Sequence, residues 1–533
     1  MKLRVFDYVI VGAGPAGLQM GYFMQQAGWD YLVVEAGATP GQFFRTFPRH
    51  RKLISINKRH TGQDDPELKL RMDWNSLLSD RPDLRFTSYS GRYFPHADDY
   101  VRYLEHFARS QELNIRYGSR IERINKTDVF SLSDVNGDTY ACHRLVIATG
   151  VPRCNLPDIP GIEFADTYFN ASVDPDDYVD QRVLVIGKGN SAFETADNLI
   201  EKAAVVHVAG PHSIRFAWQT HYVGHLRAVN NNMLDTYQLK SQNAILDGHV
   251  LEIEKQGQRF SVLVSFVRAN EAHKELVYDR VIACTGFRFD HSIFDETCKP
   301  LLAIDDRFPA QKSDWESANV SDMFFAGTLT QERDYKKSTS AFVHGFRYGA
   351  RSLFRILAQR YHKSSWPVRA LGVSPRSLME AVIERVNRTS ALWHQFGFFG
   401  DLITVAGDVA HYHDEVPAAY VHDSEWGERD NYFIVTLEYG PDHARVDPFD
   451  IEVGRVAQDD DERAFDAQYL HPVVRHFSRR KLVGVHHIAE NLENEWTGLP
   501  HREPLVQFFE RQLAADGSTA GACVEFLSAE PVQ

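Results

Sequence analysis

The sequence predicts an α/β chain with two Rossmann-type dinucleotide-binding domains and an α+β C-terminal extension. Three observations predict it. A strand–glycine-turn–helix–strand pattern occupies residues 8–35, and a second of the same design occupies residues 182–208. From residue 360 onward the chain changes character, becoming polar, acidic and rich in aromatics. A nucleotide-binding pattern met twice is a repeat at the scale of domains.

The first pattern begins with the apolar run Tyr8-Val9-Ile10-Val11, which has the composition of a strand buried on both faces. Gly12-Ala13-Gly14-Pro15-Ala16-Gly17 follows at once, then an apolar helix over residues 18–26 that Gly28 ends. In such a turn the first glycine permits the tight bend, the second lets backbone approach a pyrophosphate, and the third lets helix and strand pack closely. The helix N-terminus turns free N–H groups and a positive dipole end toward the phosphates. A second strand, residues 31–34, ends at Glu35, placed to accept ribose hydroxyls.

The second pattern repeats the logic. Residues 182–186 form a buried-type strand, Gly187-Lys188-Gly189-Asn190-Ser191-Ala192 the turn, residues 193–199 the helix and residues 205–208 the next strand. No carboxylate closes that strand. His212 and Arg215 follow instead, and both can pair with a 2′-phosphate that an acid would repel. NADPH is therefore expected here rather than NADH. Two nucleotide sites imply two tasks: FAD held at the N-terminal site, and a hydride donor brought to the second, with the flavin carrying the difficult step.

Length and composition agree. A chain of 533 residues exceeds one core, and 43% apolar residues suffice for several. The expected domains are 1–165 with 290–359 for FAD, 175–289 for NADPH, and 360–533 for the extension, with 360–367 as a linker. The net charge of −14 excludes a nucleic-acid binder. No apolar run is long enough to span a membrane, and no signal peptide or C-terminal retention signal is evident, so a cytoplasmic protein is expected. The five cysteines, at 142, 154, 284, 298 and 523, form no C-x-x-C pair, which argues against a disulfide scaffold, a zinc ribbon and a dithiol redox motif. The run His411-Tyr412-His413-Asp414-Glu415 reads as a solvated loop rather than a metal site, so no metal is expected. In the extension, residues 433–439 read as a strand, and residues 490–496 and 505–513 as helices.

Residues 145–150 and 281–287 are strands ending in Thr-Gly, at Gly150 and Gly286, and residues 323–328 are a strand ending in Gly327-Thr328. These resemble the linker strands and the flavin-closing motif of two-dinucleotide-binding-domain flavoproteins. Pro40-Gly41-Gln42-Phe43-Phe44 sits where flavin-containing monooxygenases carry a Gly-Gly-x-Trp segment, and residues 189–192 and 285–287 are similar too. One departure is that residues 168–172 lack the histidine those enzymes place before their second fingerprint. A resemblance over nearly the whole length, through residues 12–22, 48–59, 73–78, 220–224, 234–241, 344–348 and 470–473, is to the endoplasmic-reticulum flavoprotein associated with degradation family, the FAD-dependent oxidoreductase domain-containing proteins.

The resemblance implies cofactor contacts from Gln42 and Phe43, and a hydrogen bond from Asn57 that stabilises a flavin peroxide. Lys58, next to it, is placed to stabilise negative charge developing on the flavin. Arg45, Arg49, His50, Arg51, Lys52, Lys58, Arg59 and His60 form a basic stretch in an acidic protein, expected to meet cofactor or substrate. The expected activity is oxygenation of nitrogen or sulfur in a small-molecule or carrier-bound substrate. The alternatives are a flavin reductase or oxidase, and a flavin-bound partner-binding protein whose extension docks a partner or forms a homodimer.

Overall fold

The computed structural model describes residues 4–236 and 243–515, so Cys523 and residues 237–241 of the run 234–241 lie outside the described residues. The chain divides into two compact units. One comprises residues 1–366, 389–399 and 441–453, and the other 367–388, 400–440 and 454–533.

The first unit holds both nucleotide-binding sheets. In the first sheet, Val5–Val11 lies between Tyr31–Val34 and Thr139–Ile147 in parallel register, with Ile115–Arg116 beyond Tyr31–Val34. The antiparallel strands Phe130–Asp134 and Ile121–Lys126 extend the other side. Met323–Phe325 joins last, parallel to the C-terminal end of Thr139–Ile147, so a distant segment completes this sheet. The apolar runs predicted as buried strands are buried: Tyr8, Val9 and Ile10 have no exposed surface.

The second sheet has Arg182–Ile186 flanked by Val205–Gly210 and Arg280–Ala283, all parallel. Asn243–Gln256 follows Val205–Gly210 in parallel, then pairs with Arg259–Phe266 in an antiparallel ribbon. The predicted strands hold here within two residues, and the helix, Asn190–Leu199, starts three residues earlier than expected.

The helix Val343–His362 runs past the expected linker boundary at 360, and Trp366 is buried with the Arg355 guanidinium 5.4 Å from its ring centroid. The packing of that aromatic carries the first unit to residue 366. Arg347, on this helix and fully buried, donates to the carbonyls of Leu70, Asp73 and Ser76, which fixes residues 70–76 against it.

The second unit is α+β. Its six-stranded sheet runs Arg369–Gly372, Val409–Pro417, Phe399–Ala406, Tyr432–Glu438, His471–Ser478, Lys481–His487. The helices Pro375–Arg388 and Leu499–Ala515 pack on each other. Residues 490–496 are not helical as expected. The Asn491 side chain accepts from the N–H groups of Glu493 and Glu495, Asn494 adopts φ +55°, and the buried Trp496 donates its indole N–H to Ala489 O. Local side-chain bonds of this kind compete with the helical ladder and win here. No helix among the described residues is long and apolar enough to cross a membrane, and no three metal-ligating side chains converge among them.

Candidate cofactor and substrate site

The first glycine turn is shaped as its sequence requires. Gly12 takes φ +104°, and a Cβ there would stand 2.8 Å from Ala148 O. A Cβ on Gly17 would stand 1.9 Å from Gly12 O, so strand and helix touch at that point. Gly14 differs: a Cβ there would meet nothing within 4 Å. Space lies open in front of the helix Pro15–Gln26, where its free N–H groups emerge. Ala13 and Ala16 line the turn, and Gly327, at φ +75°, comes so near that its Cβ would be 2.6 Å from that of Ala16. Thr328 anchors this late segment by donating to Ala341 O at 3.1 Å. Gly150 is also open, at φ +64°.

Glu35 is buried, and its two carboxylate oxygens accept from Ala13 N at 2.6 Å and Gly37 N at 2.8 Å. Burial pushes its pKa up, and the N–H donors oppose that shift. The residue expected to meet a ribose thus also clamps the glycine turn to the second strand, each oxygen keeping a lone pair for a further donor. Gln42 donates to Thr39 O at 2.9 Å and shapes residues 37–42. Arg45 is spent on an exposed ion pair with Glu105 and a bond to Thr39 Oγ1. Phe43 is 43% exposed and packs with Phe47 and with Phe287, the residue after Gly286.

The second turn repeats the geometry. Gly187 takes φ +123° against Cys284 O, and Gly189 is open. Asn190 turns away from that opening. Its Nδ2 donates to Gly224 O and His225 O at 3.0 and 2.8 Å, and its Oδ1 accepts from Arg227 N and Asn230 Nδ2. It therefore organises the 224–230 loop. Ser191 lends its carbonyl to Thr195 Oγ1. His212 and Arg215 are both exposed beyond Val205–Gly210. An acid missed in the sequence lies beside them: Asp247, opposite Gly210 in the adjacent strand. It is paired with Lys188 and with Arg268, at 2.5 and 3.0 Å, and Lys188 also donates to His212 O. Only strand pairing brings Asp247 here, so the fingerprint carried no signal for it.

The basic stretch holds the two sheets' loops together more than it faces open space. Arg49 donates to Ala171 O and Tyr168 Oη, whose hydroxyl in turn donates to Glu194. Arg51 reaches Phe44 O and Asp98. Burial pushes His50 down to about 4. Lys58, Arg59 and His60 are exposed. Asn57 is buried, and its Nδ2 donates to Ser90 O and Arg92 O at 2.7 and 3.3 Å, while its Oδ1 has no partner. Both amide protons are thus committed to backbone carbonyls, the opposite of the donor role expected from the resemblance. Beside this segment Trp74 stacks on His344, ring centroids 4.4 Å apart.

The family model for pyridine nucleotide-disulphide oxidoreductases matches residues 9–327, from the first glycine turn to the Gly327 segment that returns to it. The chain belongs to that family. Within it, the FAD-dependent oxidoreductase domain-containing protein 2 of Mus musculus is 37% identical over 96% of this chain and 84% of its own length. The fold is shared with a bacillithiol disulfide reductase from Bacillus cereus, TM-score 0.52 at 19% identity over 67% of this chain and 100% of that one. It is shared equally with a flavin-containing monooxygenase from Stenotrophomonas maltophilia, TM-score 0.50 at 18% identity over 67% and 99%. As an FAD-dependent oxidoreductase of this family, the chain presents residues that fit the cofactor: an open turn at Gly14, a helix N-terminus behind it, and Gly327 closing on Ala16.

Proposed function

We propose that the protein is an NADPH-dependent FAD enzyme that oxygenates nitrogen or sulfur in an organic substrate. FAD, when bound, accepts two electrons with a hydride and passes them on. The chain's part is to hold the dinucleotide through Gly12–Gly17 backbone and Glu35, and to receive the hydride donor at Gly187–Ser191. Exposed His212 and Arg215, with Lys188 and Arg268 outnumbering Asp247, make the rim of the second turn cationic, which favours a 2′-phosphate.

The observation that carries the reading is the state of the thiols. Cys142, Cys284 and Cys298 are buried, and burial raises them to about 12, 12 and 11, so all three are held as thiols. Cys154 is half-buried and raised as well. A thiol must ionise to attack a disulfide. Among the described residues no cysteine is poised to relay electrons, so the acceptor comes to the flavin itself. The segments 40–44, 189–192 and 285–287, similar to flavin-containing monooxygenases, favour oxygen as that acceptor. A second reading, a reductase or oxidase without substrate oxygenation, is favoured by Asn57, whose N–H groups are already used.

The test is to reduce the FAD-loaded protein anaerobically with NADPH or NADH, readmit oxygen, and count products with N,N-dimethylaniline or thioanisole present. Faster reduction by NADPH and oxygenated product in step with NADPH consumed support the proposal. Hydrogen peroxide released in step with NADPH, unchanged by either compound or by its 4-carboxylate derivative, selects the oxidase reading.

A further inference from the structure

Two polar side chains from separate parts of the first unit meet at Trp74 without the partners that burial demands. His344 lies in the first turn of the helix Val343–His362 and is 1% exposed. Neither ring nitrogen has a hydrogen-bond partner; the Trp74 backbone comes near the imidazole but not in hydrogen-bonding geometry. The ring is packed against Trp74, Phe342 and His394, centroids 4.4, 5.8 and 4.8 Å away. Arg227 arrives from the 224–230 loop that Asn190 organises, with its guanidinium carbon 5.0 Å from the Trp74 ring centroid. It is half-buried, and among the described residues no carboxylate pairs with it. Its charge is felt at His344.

A buried imidazole with no partner on either nitrogen forfeits the hydration of both, and the half-buried Arg227 guanidinium has no acid to offset its charge. Among the buried imidazoles of this unit the contrast is with His394, whose Nε2 meets Leu70 O at 3.1 Å. The mismatch marks the place of a ligand. That ligand is an anion, because Arg227 is a fork of donors and the 20-residue helix ends its positive pole at His344. One cation and one neutral N–H donor suit a single negative charge on two oxygens. The Trp74 and Phe342 rings suit a flat apolar body attached to it.

We infer that the organic substrate carries a carboxylate, received by the Arg227 guanidinium and a His344 N–H, with an aromatic portion lying against Trp74. The inference rests on the reading that the flavin acts on an organic molecule. It also assigns Asn190 a second duty: the residue at the mouth of the nicotinamide turn positions the substrate anchor.

The probes are benzoate and its neutral counterpart benzamide, titrated into the FAD-loaded full chain and followed by tryptophan fluorescence and calorimetry. A nucleotide arm uses 2′,5′-ADP. Benzoate should bind at least tenfold more tightly than benzamide. Arg227→Met should remove that preference, Arg227→Lys should keep part of it, and the affinity for 2′,5′-ADP should not follow either change. Retained flavin absorbance and melting temperature show that each variant is folded, and the lysine variant keeps the comparison open if the methionine variant is not. Equal binding of benzoate and benzamide, or no benzoate binding at millimolar concentration, overturns the inference. So does a loss in Arg227→Met that falls on 2′,5′-ADP, which would give the guanidinium to the nucleotide. Anaerobic reduction by NADPH is measured on the same samples; its failure would sink the proposed function whatever benzoate does.

Discussion

Gly14 and Gly17 stand three residues apart in one turn, yet the same added methyl should act in opposite ways. At Gly17 it collides with Gly12 O at 1.9 Å, so Gly17→Ala forces helix and strand apart at a cost of about 3 kcal/mol or more. At Gly14 it meets nothing in the protein, and the backbone there, φ −72° and ψ −178°, is open to any residue. Gly14→Ala should therefore melt within about 1 kcal/mol of the parent apoprotein and still lose FAD, because the methyl fills the space the pyrophosphate needs. Thermal melts with and without FAD separate the two. Arg215 offers a second prediction at this scale: Arg215→Ala should raise the KM for NADPH about tenfold and leave that for NADH nearly unchanged, since only the former has the 2′-phosphate. The glycines were legible in the sequence because each role is local. Lys188, Asp247, Arg268, His344 and Arg227 were not read as a set, because strand pairing and loop docking, not spacing, bring them together.

At the scale of elements, the 224–230 loop hangs on one side chain. Asn190→Ala removes the acceptor of the Arg227 N–H and the donors to Gly224 O and His225 O. The Arg227 amide should then exchange with deuterium at least tenfold faster, while amides in Arg182–Ile186 keep their protection; unchanged exchange at Arg227 would show that other contacts hold the loop. Elements themselves were legible where apolar runs met glycine turns, as in both nucleotide-binding units. Residues 490–496 misled because Leu492 and Trp496 have helical spacing, whereas Asn491 and Asn494 stop the helix with side-chain bonds and a left-handed backbone. The linker expected at 360–367 likewise gave way to a longer helix held by a buried tryptophan that the sequence displayed beside a proline.

For the whole molecule, buried titratable groups set the pH range of stability. His50, His207, His221, His225, His413, His486 and His487 are each pushed by burial to about 4. They are neutral in the fold and protonate near 6.5 once unfolded, so their contribution is present above pH 6.5 and is lost as pH falls toward 4. Burial raises Glu194 and Asp334 to about 7, and Asp197 and Asp401 to about 6. Their contribution has the other sign: full below pH 4, and lost as pH rises through 6–7. The histidines outnumber the carboxyls, so the melting temperature should fall between pH 6.5 and 4. Glu194→Gln should flatten the carboxyl part of the curve and steepen that fall; a melting temperature that rises on acidification would contradict the assignment.

The late return of Met323–Phe325 to the first sheet also sets a clock. That sheet begins at Val5, but the strand that pairs with Leu145–Ile147, and the Gly327 that closes on Ala16, are translated only after the entire second nucleotide domain. At ribosomal speeds the delay is roughly 10–35 s. Through that interval a nascent chain shows an unpaired parallel edge and a half-built turn to its surroundings. Flavin capture therefore waits for residue 327, and the first turn closes only when the second nucleotide domain has already been made.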